Sequence, residues 1–228
     1  MKRSSINREI RNAIEFFDKM NFKLPQFAYF NADKMIELKH DKCAEEIFKT
    51  DMGWDLTDFA TGNFDKTGLL LFTIRNGRIN SPYSKPYAEK IMITKEDQLT
   101  PLHFHWKKQE DIINRSGGNL IIEAFNSDEN EDLAETDVEV SIDGIMHEFK
   151  PGEKILLKPG QSICLTNGMY HRFYGEKGKG TVLVGEVSMV NDDTDDNKFY
   201  EKMGRFTEII EDEKPFRLLV QDYNKLNF

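Results

Sequence analysis

Two of the five histidines of this chain stand in His103-Phe104-His105. On a β-strand, residues i and i+2 project from one face, so both imidazoles point one way while Phe104 points the other. Five residues after His105 comes Glu110, whose carboxylate returns to the same point if the chain bends over residues 106–109. His171, in Gly168-Met169-Tyr170-His171-Arg172-Phe173, can alternate inward from a later strand. Three imidazoles and one carboxylate make a donor set of intermediate hardness with room left for oxygen ligands. Such a set suits divalent Mn, Fe, Co, Ni or Zn. An HxH pair alone is a weak signal, and the added carboxylate and third histidine are what give it weight.

Two further residues have chemistry to offer near such a centre. Lys108 lies between His105 and Glu110, so its ammonium reaches the mouth of the site and can polarise or protonate an oxygen there. Glu186 lies on an apolar run at 181–187, where an unpaired carboxylate is costly to bury. It is a candidate for proton transfer, or a hydrogen-bond partner that orients a ligating histidine. His40 and His147 fit no part of the pattern and are expected at surface or turn positions.

The elements that must position these groups follow from periodicity. Apolar side chains at Ile6, Ile10, Ala13, Ile14 and Phe17 have the spacing of a helix over 5–20 with one buried stripe, capped by Ser4 or Ser5. A second helix is expected over 32–49. Residues 54–64 read as irregular, with Gly53, Gly62, Asp55, Asp58 and Asp65 supplying turn chemistry. From residue 69 short β-rich runs follow one another at 69–74, 90–93, 120–125, 138–142, 145–149, 155–157, 163–165 and 181–187, with Asp143-Gly144 as a hairpin turn. That pattern predicts an antiparallel sandwich or barrel rather than βαβ units. Residues 197–210 form a last helix or loop packed back on it, and the acidic stretch 127–137 is a solvated loop.

Composition narrows the function classes. The 228 residues are enough for one large domain. A formal net charge of -9 repels phosphate backbones and acidic membrane surfaces, so neither nucleic acid nor membrane is an expected partner. No stretch approaches the ~18 apolar residues of a membrane span, and residues 1–17 do not read as a secretory signal, which makes the cytoplasm the expected compartment. Cys43 and Cys164 lie far apart and form no CxxC pair; both are expected to be buried free thiols.

Taken together, His103-x-His105-x4-Glu110-x6-Gly117 matches the first cupin motif, and Gly160-x5-Thr166-x-Gly168-x2-His171 resembles the second. Thr166 stands where cupins usually carry proline, Gly175 where they often carry asparagine, and Asp97 where a glycine is expected before the first histidine; none of the three is a metal ligand. The resemblance implies a mainly β fold, a jelly-roll-like double-stranded β-barrel. One cupin domain would span 1–228, with N-terminal helices (about 1–50) packed on a barrel (about 66–190). The stretch from Pro101 to Gly118, with Gly53-Trp54-Asp55-Leu56-Thr57-Asp58-Phe59, Gly185-Glu186-Val187-Ser188 and Val190-Asn191-Asp192-Asp193 followed by Asp196-Asn197, is similar to the cupin-type D-lyxose isomerases of bacteria.

That family resemblance implies aldose–ketose isomerisation between D-lyxose and D-xylulose, with D-mannose to D-fructose as a side activity, manganese as the preferred metal and a homodimer. His103, His105, Glu110 and His171 would be the metal ligands. Co²⁺, Fe²⁺, Ni²⁺ and Zn²⁺ remain alternatives on donor chemistry. The proton would move between C2 and C1 through a cis-enediol. Lys108 would act at oxygen, and Glu208 is the favoured carboxylate because its segment Arg205-Phe206-Thr207-Glu208-Ile209 also resembles the family and is expected to close over the barrel. Glu186 is its rival. Trp54 and Trp106 are either pocket-lining or core and rim aromatics. The rival functions are a cupin dioxygenase, a non-catalytic sugar-binding cupin, and a sugar-phosphate isomerase of the phosphomannose type. The sparse pairs Lys107-Lys108 and Lys2-Arg3 make a poor phosphate clamp and disfavour the last.

Overall fold

Alternation of buried and exposed side chains is what builds the barrel. In β5 (Glu110–Gly117), Glu110, Ile112 and Asn114 are buried while Asp111 and Arg115 are exposed, so one face is committed to the interior. A computed structural model describes residues 1–190 and 196–225; the Asn191-Asp192-Asp193 stretch singled out in the sequence lies outside the described residues. The strands before β5 are β1 (Gly53–Thr57), β2 (Leu69–Arg75), β3 (Tyr87–Thr94) and β4 (His103–Phe104). After it come β6 (Leu120–Phe125), β7 (Val138–Ile142), β8 (Ile145–Phe149), β9 (Lys154–Leu157), β10 (Ser162–Leu165), β11 (Tyr170–Gly175), β12 (Val182–Met189) and β13 (Lys198–Phe199).

These strands form two antiparallel sheets, one of eight strands in the order β1-β2-β3-β12-β5-β10-β7-β8 and one of five in the order β13-β4-β11-β6-β9. Their inner faces meet in a core that includes Leu71, Met92 and Ile112 from the larger sheet and Leu120, Ile122 and Phe173 from the smaller. This is the double-stranded barrel of the cupin fold. The Asp143-Gly144 turn joins β7 to β8 as expected, with Asp143 at φ 51° and Gly144 at φ 82°, the two left-handed residues of a tight hairpin.

The outer face of the larger sheet is covered on one side by α1 (Arg3–Lys19). Ile6, Ile10, Ala13 and Phe17 pack there on Trp54, Phe72, Ile91 and Leu183. The helix begins at Arg3 without a side-chain cap. Ser4 is not the cap; its backbone N–H and hydroxyl instead donate to Asp212 at 2.9 and 2.7 Å. The expected second helix is divided into α2 (Ala32–Lys39) and α3 (Glu45–Lys49), because the Asp41 side chain accepts the Cys43 N–H at 2.8 Å and starts a separate turn over Lys42–Ala44. Residues 54–64 are not wholly irregular: β1 occupies their start and is buried at every position, so it shows no alternation. No helix forms over 197–210, where the only regular element is β13. Cys43 is exposed and Cys164 half-buried, so neither is a core thiol. Among the described residues, no helix is long and apolar enough to cross a membrane.

Arg3 is the least expected member of this framework. Its side chain is 2% exposed; it donates to Asp222 at 2.8 and 2.9 Å and to Glu211 at 2.6 and 2.8 Å, tying the start of the chain to its end. Burial alone would lower its pKa, but the hydrogen bonds and charges of Glu211 and Asp222 reverse that and raise it. Removing one partner of a buried ion pair strands the other, so Arg3→Met is expected to cost about 3–5 kcal/mol, read as a lower midpoint in urea. A midpoint within error of the parent protein would show that the pair does not stabilise the fold.

Candidate active site

The register of the smaller sheet brings the first ligands together. His103 of β4 lies directly opposite His171 of β11, so the two rings share a face, with centroids 4.4 Å apart. Phe104 points away and packs against Tyr170, centroid to centroid 4.7 Å. His105 follows, its ring 5.1 Å from that of His103. The chain then bends, and Asp196 fixes the bend: its two carboxylate oxygens accept the N–H groups of Lys107 and Lys108 at 2.8 and 2.9 Å. Glu110 thereby enters β5 facing the three imidazoles.

The tautomers are set by the backbone. Nδ1 of His103, His105 and His171 lies 2.8, 2.8 and 3.0 Å from the carbonyl oxygens of Pro101, Asp196 and Met169. A carbonyl only accepts, so each Nδ1 carries a proton, and in the neutral ring each Nε2 offers a lone pair. The four ligand atoms lie within 4.8 Å of one another. Nε2 of His105 and of His171 are 3.6 and 2.9 Å from Oε1 of Glu110, yet both nitrogens are buried without a hydrogen-bond partner. Buried ring nitrogens left without a hydrogen-bond partner in this way fit a group of residues built to ligate a cation. His103 is held well below the usual histidine range, first by burial and then by the neighbouring His171 and His105, so it stays neutral. Burial pushes the Glu110 carboxyl up, but Lys108, His105 and His171 outweigh it and hold the group well below the carboxylate range. Three imidazoles and one carboxylate suit a divalent ion of intermediate hardness.

Beside this cluster runs a chain of buried charges. Lys108 Nζ lies 2.7 Å from Glu110 Oε2 and 3.0 Å from Glu186 Oε1, and Lys90 Nζ lies 3.2 Å from the same Glu186 oxygen. Glu186 and Lys90 are cross-strand partners of β12 and β3, which is why the pair forms. All three side chains are no more than 6% exposed. They line a cavity of about 470 Å³, part of it open to solvent, together with His103, His105, Phe59, Phe199 and Arg205.

The structure thus brings together six of the seven residues selected from the sequence: His103, His105, Glu110, His171, Lys108 and Glu186. It does not bring in Glu208, which is exposed and absent from the cavity wall. Arg205, three residues earlier in the same segment, does line the cavity, but from Glu208 the chain leads to the start of α1, where Ile210 N–H donates to Met1 O at 2.8 Å and the Glu208 carbonyl accepts from the terminal amine. Lys90 and Asp196 join the site without being sequence candidates for it. A lysine heading the apolar run 90–93 was the available signal for the first, since buried lysines are rare unless paired. Trp54 is a core residue, 3% exposed, and Trp106 sits at the rim bound to Glu131 at 2.8 Å. His40 and His147 are exposed.

Comparison with known proteins shows the family of the chain. The family model described as D-lyxose isomerase matches residues 1–223. A curated D-lyxose/D-mannose isomerase of Serratia proteamaculans is 48% identical over 224 residues, 98% of each chain. That of Escherichia coli O157:H7 is 48% identical over 227 residues, 99% of each chain. Among solved structures, the L-ribose isomerases of Acinetobacter sp. DL28 and Cellulomonas parahominis superpose with a TM-score of 0.57 at 13% identity, covering 92% of this chain and 98% of theirs, a likeness of fold.

Proposed function

Because this chain belongs to the D-lyxose isomerase family and is an aldose–ketose isomerase of sugars, we propose that its reaction is the interconversion of D-lyxose and D-xylulose, with D-mannose to D-fructose as a second reaction. The observation that carries the mechanism is the buried Glu186 carboxylate gripped by Lys108 and Lys90 next to the His/Glu cluster. His103, His105, Glu110 and His171 would hold a divalent metal, Mn²⁺ being the reading favoured by family and donor set. When bound, it supplies a Lewis acid for the carbonyl and hydroxyl oxygens at C1 and C2.

Isomerisation moves one proton from C2 to C1 and a second from the C2 hydroxyl to the C1 oxygen, while negative charge gathers on oxygen in between. Glu186 takes the C2 proton and returns it to C1 through a cis-enediol, acting as base and then as acid on one face of the sugar. Lys90 and Lys108 fix the carboxylate, and the Lys108 ammonium donates a hydrogen bond to the oxygen that gains charge. The apolar walls, Leu69, Leu71 and Met92, keep bulk water from quenching the enediol. The enzyme is further proposed to work as a single cupin domain in a homodimer in the cytoplasm; its free thiols, Cys43 and Cys164, suit a reducing compartment.

The direct test is ketose formation from D-lyxose and D-mannose, without oxygen, by protein stripped of metal and reloaded with Mn²⁺. Metal-dependent D-xylulose is the expected product. Fully loaded protein that makes no ketose from either sugar would overturn the substrate assignment, and a requirement for oxygen would favour a dioxygenase.

A further inference from the structure

Two buried polar atoms on the cavity side of the barrel have no partner among the described residues, and neither belongs to the His/Glu cluster. One is Oδ1 of Asp55; the other is Oγ1 of Thr100. Asp55 is 3% exposed and Thr100 2%. Asp55 lies directly opposite Leu71 across the β1–β2 pair, so it shares a face with a residue of the cavity wall. Thr100 is itself on that wall. The second Asp55 oxygen accepts from Arg205 Nη2 at 2.7 Å, and Arg205 also lines the cavity. The Arg205 backbone is fixed as well, since its carbonyl accepts the Thr57 hydroxyl at 2.7 Å.

An unsatisfied buried carboxylate oxygen costs free energy unless a donor reaches it. Aspartate only accepts, arginine only donates, and threonine does both. A run of sugar hydroxyls, each donor and acceptor at once, complements that trio. A phosphate ester does not, because the Asp55 carboxylate would face its negative charge.

We propose that Asp55, Thr100 and Arg205 form the subsite that recognises the hydroxyls of the open-chain sugar beyond C3, while Glu186 and Lys108 act at C1 and C2. This rests on the sugar-isomerase reading given above. The subsite makes the substrate a neutral polyol held at both ends, which aligns C1 and C2 for proton transfer.

The experiment compares the Mn²⁺-loaded parent enzyme with Thr100→Val, which keeps the shape and deletes the hydroxyl, and with Asp55→Asn. Each is assayed on D-lyxose, 4-deoxy-D-lyxose and 5-deoxy-D-lyxose, with metal content and Tm recorded. KM for D-lyxose is expected to rise about tenfold in each variant while kcat changes by less than about threefold, the scale of one lost hydrogen bond. At least one deoxy sugar should be a poor substrate for the parent enzyme yet lose nothing further in Thr100→Val, because the bond is already gone. Unchanged KM in a folded, metal-loaded Thr100→Val, or equal further loss on both deoxy sugars, overturns the subsite and leaves Thr100 as a wall residue. Should Asp55→Asn not fold, Thr100→Val decides. If the parent enzyme makes no ketose at all, the isomerase reading has failed separately. Calorimetric binding of D-arabinitol, the polyol of lyxose configuration, then tests the subsite without turnover: weaker binding by Thr100→Val supports it, equal binding overturns it.

Discussion

His171→Ala is expected to give a folded protein that holds no stoichiometric divalent metal and forms no measurable ketose. The side chain is 2% exposed, its Nδ1 is committed to Met169, and its Nε2 stands 2.9 Å from Glu110 with no hydrogen-bond partner. Deleting it removes one of four convergent donors and leaves a cavity that water cannot fill with equal ligand strength. His103→Ala should behave the same way, since the two residues face each other across β4 and β11. Metal analysis after dialysis, with ketose formation from D-lyxose, checks both. His147→Ala, on the exposed face of β8, is the control that should change neither. Retained metal with full turnover in His171→Ala would remove the cluster from the mechanism.

Glu186→Gln is expected to keep its metal and lose turnover by a factor of about a hundred or more, the usual scale for a general acid or base. The amide preserves the size of the side chain but cannot accept a proton from carbon. Lys108 and Lys90, at 3.0 and 3.2 Å, would then face a neutral group, and the lost charge also loosens the grip that positions it. Single-turnover rates separate the chemistry from binding, so a fall in that rate with an unchanged KM is the signature. Glu208→Gln is the matched comparison. Its side chain is exposed and outside the cavity, so near-parent activity is expected. The reverse result, an active Glu186→Gln and an inactive Glu208→Gln, would move the proton-transfer role to the tail.

The contrast between these two carboxylates shows how far the sequence carries. Glu208 sits in a segment with no periodicity, and where an irregular segment runs depends on its ends. Ile210 bonds to Met1 and Tyr200 N–H donates to Leu102 O at 2.9 Å, and neither contact has any local sequence signal. Glu186 sits within an apolar run, so its burial was legible and its need for a partner followed. The partner was not: Lys90 is 96 residues earlier in the chain. β1 has no strand signature in the sequence for a related reason. With α1 outside it and the barrel interior within, it has no exposed face to alternate against. Asp196 stands in a segment that resembles the family, but no local signal gives it a role: it holds both the bend at Lys107-Lys108 and the His105 ring.

What the sequence by itself determined about this protein is the local part: a strand-rich barrel with a helix packed on it, and an HxH segment whose two imidazoles share a face. Those features repeat over two to four residues, and the chain's own geometry enforces them. Only the tertiary structure decided which charges meet in the cavity. The β3–β12 register puts Lys90 opposite Glu186, the β4–β11 register puts His103 opposite His171, and the β1–β2 register puts Asp55 on the cavity side. A one-residue slip in any of them would turn those side chains to the other face, and register is set by the packing of both sheets around the core, which no short stretch of sequence contains.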